Sequence, residues 1–204
     1  MVKANKNKEK LADIYTTVFK SFSLIFTPFC IYIAFHSKDL VVLILGKQWA
    51  DMSMFFSVII LSYLCIPLGS VSLNIIKAVG DSALFLKLEL IKKVIILSTA
   101  IIAINIGFNA LIFSIMLAYL INLFVDINGV RRHIYVPVLS ICLYQFITLF
   151  FSVTSLLIIE FIYPGANNTV LGFLFALTTY IFLYAAKIFI VDRKTVRKLF
   201  AFYI

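Results

Sequence analysis

Charge is what this sequence has least of. Asp, Glu, Lys and Arg make up 13% of its 204 residues, about half the share of a typical soluble domain. With 63% apolar residues and a mean hydropathy of +1.10, that scarcity excludes an ordinary soluble domain and assigns an all-α integral membrane protein. Cysteine is sparse as well. Cys30, Cys65 and Cys142 all fall inside apolar runs, and an odd number without ligand spacing gives neither a disulfide framework nor a metal site, so they read as core thiols. His36 and His133 lie at span ends on opposite sides and cannot cooperate. There is no HExxH, no GxSxG, no Walker loop and no acidic pair at catalytic spacing. The expectation is a protein without enzymatic activity, cofactor or metal.

What the chain does have is placed with system. Its 18 lysines and arginines against 9 acids give a net charge of +9, a balance that in a soluble protein suggests nucleic acid. Here the cations stand at the ends of apolar runs, so they read as topology determinants, and no nucleic-acid partner is expected. The 21 Phe and 10 Tyr suit lipid-facing helices and interface belts. The opening MVKANKNKEKLADIY is basic, but the apolar run that follows has no small-residue cleavage pattern, so a cleaved signal peptide is not expected.

The threading turns on Ile75–Lys93, IIKAVGDSALFLKLELIKK. Met52–Ile76 before it is free of charge and long enough to cross a core of ~30 Å. Val94–Val125 after it is also charge-free, too long for one helix and too short for two with a turn. Asn105, Gly107 and Asn109 supply a turn near its centre. The third span must then begin near Ala83 and absorb Lys87–Lys93, with Glu89 and Lys93 as an i,i+4 pair. Six spans result: Tyr15–Phe35 with a kink expected at Pro28, Met52–Ile76 interrupted by Pro67 and Gly69, a third from Ala83, a fourth from Ala110 to Asn128, Val136–Ile159 and Val170–Val191. Pro164-Gly165-Ala166-Asn167-Asn168 joins the last two. The LVVLILGKQW run within Ser37–Asp51 is too short to cross and reads as interfacial or re-entrant, with Trp49 at headgroup level. With the N-terminus inside, only Lys38 and Lys47 among the basic residues fall outside. A five-span reading would put Arg131-Arg132 and the basic C-terminal tail outside, against the positive-inside rule.

The order of a basic linker, a Pro-containing span, LILGKQWADM, a span ending IIKAVGD and the lysine-bearing LFLKLELIKK resembles the bacterial polysaccharide flippases. These are the O-antigen or lipopolysaccharide-type transporters of the multidrug/oligosaccharidyl-lipid/polysaccharide superfamily. The resemblance is strongest over Lys8–Lys93. It implies that the six helices correspond to the last six of a twelve- to fourteen-helix, two-lobe fold, so that the chain looks like a C-terminal portion. The implied division is a basic cytoplasmic tail over 1–13, a four-helix part of the C-terminal lobe over 14–129, two peripheral helices over 130–191 that pack lightly on the rest, and a second basic cytoplasmic tail over 192–204. It further implies a multi-pass protein of the bacterial inner membrane with both termini cytoplasmic. Such a protein helps carry an undecaprenyl-diphosphate-linked oligosaccharide across by alternating access. Its partners would be the lipid-linked oligosaccharide, membrane lipids, and the missing N-terminal half or another transporter chain.

A lipid-diphosphate sugar needs cations for its phosphates and polar groups for its hydroxyls inside a wet cavity. The candidates are Asn74, Lys77, Lys87, Glu89, Lys93, Asn122 and Asp126, the last two sharing a helix face. Each has a plainer reading, and that reading carries more weight. Lys77 and Lys93 are snorkelling anchors, Asp126 forms an interfacial pair with Arg131, and Glu160 is a solvated helix end. Asn74, Asn122, Tyr144 and Gln145 are then interhelical hydrogen-bond partners. Two other functions stay open: a membrane-embedded envelope polysaccharide polymerase or acyltransferase, and a structural membrane subunit. A polymerase of that kind is expected to carry a large arginine-bearing outer loop, and Ser37–Asp51 has no arginine.

Overall fold

The computed structural model describes residues 2–162 and 170–190. The expected loop at Pro164–Asn168, Val191 at the end of the sixth expected span and the basic tail over 192–204 lie outside the described residues. The described chain is helical, with no strand. It consists of α1 (Val2–Phe35), α2 (Ser37–Leu45), a short 3-10 segment (Lys47–Met52), α3 (Ser53–Tyr63), α4 (Cys65–Val79), α5 (Ser82–Ile104), α6 (Phe108–Val130), α7 (Val138–Ile162) and α8 (Val170–Ile190).

Among the described residues, four helical stretches are long and apolar enough to cross a membrane: Lys8–Phe35, Lys47–Val79, Phe108–Val130 and Val138–Ile162. The chain is therefore a membrane protein of at least this many candidate spans. Helices stand at all six expected positions, the other two being α5 and α8. α5 has the length, with 23 residues, yet carries Lys87, Glu89, Lys92 and Lys93 inside it. α8 runs over Val170–Ile190, 21 residues with Lys187 as their one charge.

The second expected span is broken. α3 ends at Tyr63 and α4 starts at Cys65, with Leu64 N–H donating to Leu61 O at 3.3 Å in a tightened turn. Pro67 explains the break, since it has no N–H to give Tyr63 O and its ring crowds that carbonyl. Pro28 behaves differently, and α1 is assigned as one helix through it. The joint between α4 and α5 matches its turn signal. Gly80 takes φ +85°, Gly80 N–H donates to Lys77 O and Asp81 N–H to Ile76 O, which closes α4 in a Schellman motif. Asp81 then caps α5, its carboxylate accepting from Leu84 N–H at 2.9 Å. The hairpin between α5 and α6 turns at Gly107, at φ +137°.

α5 packs along α6, and α6 along α4 and α3, while α7 lies along α1 and α8 along α7. The larger apolar cluster joins Tyr15 and Phe19 of α1 to Leu68 and Ile76 of α4, Leu88 of α5, Ile127 of α6 and Ile141 of α7. A smaller one holds Tyr32, Leu156, Ile159, Ala176 and Tyr180. Between them runs a polar seam, where Gln145 of α7 accepts from Ser23 and donates to Thr27 of α1. That is the interhelical role expected of Gln145. The link after α1 is helical and in two pieces, and it exposes Leu43, Ile44, Leu45 and Trp49, the residues an interfacial segment would give to lipid.

Candidate functional site

The strongest polar convergence lies where α4, α5 and α6 meet. α5 runs with Leu84, Leu88 and Lys92 at successive i,i+4 positions, and the two leucines are buried, so the third position also faces inward. Lys92 is ten residues into α5, about 15 Å along its axis. Its side chain leans back toward the helix N-terminus and meets two carboxylates. Nζ is 2.6 Å from Glu89 Oε1. It is also 3.2 Å from Asp126 Oδ1 and 3.3 Å from Asp126 Oδ2. The Lys92 and Asp126 side chains are 12% and 5% exposed and Glu89 33%, so the ammonium bridges one deep acid and one nearer the rim.

These groups line a cavity of about 250 Å³, with Lys93, Asn122 and Ser70 also on its walls. Asn122 is buried, and its Oδ1 has no hydrogen-bond partner. Buried polar atoms are nearly always satisfied, so an orphan carbonyl oxygen on a cavity wall marks a place for a donor. Lys92 pairs with both carboxylates, and Lys93 stands exposed at the rim. The cavity can therefore accept a group that supplies hydrogen-bond donors to Asn122 and negative charge to Lys92 and Lys93. Among the described residues no group of three His, Cys, Asp or Glu side chains is placed to hold a metal ion.

Of the residues selected from sequence, Glu89, Lys93, Asn122 and Asp126 meet at this cavity. Asn74 lines a separate groove of about 360 Å³ between α1 and α4. Lys77 is exposed, its Nζ 4.5 Å from the centre of the Phe85 ring, as suits an anchor. Lys87 is exposed and lies off the cavity wall. Three expectations are corrected. Glu89 pairs with Lys92 at i,i+3, the rotamer reaching back along the helix, instead of with Lys93. Asp126 pairs with Lys92 across the hairpin, while Arg131 donates to Asn128 Oδ1 at 3.5 Å, since Asp126 points inward and Arg131 outward. Glu160 is half-buried and 3.5 Å from His36 Nε2, because α7 ends against the α1–α2 corner. Lys92 is the member that selection from sequence misses, although its i,i+4 register with Leu84 and Leu88 is an available signal.

Residues 1–54 match a family model described as polysaccharide biosynthesis protein. The matched segment is similar to that family. It forms α1, α2, the 3-10 segment and the start of α3, and it includes LGKQW. The polysaccharide biosynthesis match supports the resemblance to flippases over this N-terminal quarter of the chain. The charged cavity on α4, α5 and α6 lies beyond it. No curated protein and no solved structure matches the chain.

Proposed function

We propose that this protein takes part in translocating an undecaprenyl-diphosphate-linked oligosaccharide across a bacterial inner membrane. In this reading it is not an enzyme. It is the C-terminal, six-span portion of a polysaccharide flippase of the multidrug/oligosaccharidyl-lipid/polysaccharide superfamily, working with an N-terminal half or another transporter chain, with both termini cytoplasmic. The single observation that carries the reading is the Lys92 cluster. Glu89, Lys92 and Lys93 stand close together on a helix that has the length of a span, and with Asp126 they line one cavity. Charges at membrane depth are costly and face water, partners or substrate. A cation held in a half-open cavity, with a second at its rim and an unsatisfied amide beside it, suits a diphosphate headgroup and sugar hydroxyls.

The alternation of α1, α3–α4, α5, α6, α7 and α8 gives six crossings once the charges of α5 are neutralised within the bundle. Lys92 with Asp126 does so inside, and Lys87 and Lys93 would need an aqueous or protein surface outside. That requirement is one physical reason to expect a second lobe.

Complementation of a flippase-deficient strain tests the proposal, using this chain with and without an N-terminal half. Rescue is expected only with both, and K92Q is expected to remove it while the protein still reaches the membrane. Rescue by K92Q at wild-type level would overturn the reading of the cavity. Reporter fusions after Arg131 and after Asp192 should report the same side; opposite sides would overturn six spans.

A further inference from the structure

Gly69 stands directly against the deep carboxylate of the cavity. A Cβ built on Gly69 would lie 2.6 Å from Asp126 Oδ2 and 3.6 Å from its Cγ. No real side chain tolerates the first distance, and what it meets is the far end of a short, buried carboxylate, which must shift to make room. Gly69 is buried in α4, two residues after Pro67 and one turn after the break at Leu64. Glycine in a helix interior costs about 1 kcal/mol against alanine, so its use here calls for a reason, and its φ is not in the left-handed region. The close approach supplies the reason. Without a side chain on α4, Asp126 fits between α4 and α5 and reaches Lys92 at 3.2 Å.

From this we infer that Gly69 is a specificity-determining position of the cavity, because it seats Asp126 as the resident counter-anion of Lys92, which an incoming phosphate must displace. The inference rests on the reading of the cavity as an anion receptor and extends it. Lys92 is already shared by two acids. A phosphate gains it only by exchanging with one of them, and Asp126 is the one whose position depends on a neighbouring helix. A side chain at 69 pushes the carboxylate out of its seat and leaves Lys92 more open to a ligand. The α3–α4 break and Pro67 lie on the same stretch, so any movement of α4 at that break changes the depth of the seat and with it the strength of the competitor.

The test uses the full chain in lipid nanodiscs, with thermal unfolding and inorganic pyrophosphate binding as two readouts. G69A is expected to lower the melting temperature by about 5 °C in the wild-type background and by clearly less in D126A, where the clash is gone. Should G69A fail to fold, recovery of folded protein in G69A/D126A reports the same coupling. An equal cost of G69A in both backgrounds would overturn the seat. For pyrophosphate, D126A is expected to tighten binding roughly fivefold or more, G69A to tighten it less, and the double variant to match D126A alone. Unchanged affinity in G69A with tightening in D126A would overturn the specificity role. The underlying reading fails in a different way, by K92Q binding pyrophosphate as tightly as the wild type.

Discussion

Two three-membered charge clusters stand out among the described residues, and they are built differently. On α5 and α6, Lys92 lies between Glu89 and Asp126 on the wall of a cavity. At the corner where α1 turns into α2, His36 lies between Asp39 and Glu160, with Nδ1 3.7 Å from Asp39 Oδ2 and Nε2 3.5 Å from Glu160 Oε1. His36 is 3% exposed and packed by rings, with Tyr32 at 4.5 Å and Phe35 at 5.1 Å between centroids. The first cluster holds a lysine amine beside open space. The second holds a group that is neutral unless it takes a proton, within a filled corner. Charge that faces a cavity is available to a ligand, whereas charge enclosed by aromatic rings ties helices together. Packing alone therefore separates a binding role from a joining role.

The sharpest way to break the contrast is to remove Lys92. K92L leaves Glu89 and Asp126 without their cation, and an uncompensated buried acid costs about 3–5 kcal/mol. Thermal unfolding should show a loss larger than that of H36Q, Q145L or K77M. K92L/D126L should recover most of it, since replacing both members of a buried pair by apolar groups is close to neutral. A small loss in K92L would place the cluster in water and remove the distinction between the two sites.

The joining cluster should answer to pH. Burial pushes the His36 pKa down, and Glu160 and Asp39 oppose the shift without cancelling it. Around His36 stand Asp39 of α2, Glu160 of α7, Tyr32 of α1 and the exposed Lys38. In the folded protein His36 binds its proton less readily than in the unfolded chain, so unfolding takes up a proton in mild acid. Stability from this corner is complete above the ordinary histidine value of about 6.5 and declines as pH falls through the depressed native one. A melting curve recorded from neutral to mildly acidic pH should slope downward in the wild type and flatten in H36Q. An identical slope in H36Q would assign the acid sensitivity elsewhere.

A smaller effect belongs to the seam between α1 and α7. Q145L removes the amide that accepts from Ser23 and donates to Thr27 at 3.1 Å. Hydrogen bonds between membrane helices average about 0.6 kcal/mol, so a loss of about 1 kcal/mol is expected for the pair, read from thermal unfolding. S23A alone should cost less than Q145L, because it leaves the bond to Thr27 in place.

Much of this architecture is legible in the sequence, and the parts that are not share one cause. Asn105, Gly107 and Asn109 set the α5–α6 hairpin and Gly80-Asp81 the α4–α5 joint, because turns are written in a few residues whose backbone demands are local. Pro67 signals the break at Leu64 for the same reason. Spacing alone favours Lys93 over Lys92 and gives Arg131 to Asp126, because pairing across helices depends on which face each side chain presents after packing. Glu160 reads as solvated since nothing within its own helix points to His36, which lies more than a hundred positions earlier in the chain. Gly69 reads only as an interruption. Its contact with Asp126 exists once α4 and α6 are in place and has no trace in either segment alone.

The smallest expected effect comes from Lys77, and it tests whether a surface cation on this bundle behaves unlike both buried clusters. Its ammonium lies over the Phe85 ring at 4.5 Å and is exposed, near the Schellman turn that closes α4. An exposed cation–π contact contributes about 0.5–1 kcal/mol, and a basic residue in the last turn of a helix adds a few tenths through the helix dipole. K77M keeps the stem over the ring and loses only the charge, so its melting temperature should fall by no more than about 3 °C. K77A, which strips the ring as well, should fall slightly further. Neither substitution changes the charge within the cavity, so pyrophosphate binding should be unaltered in both. A loss of binding in K77M equal to that in K92Q would show that the ligand reaches the end of α4, and the cavity would then have to extend along that helix toward the groove that holds Asn74.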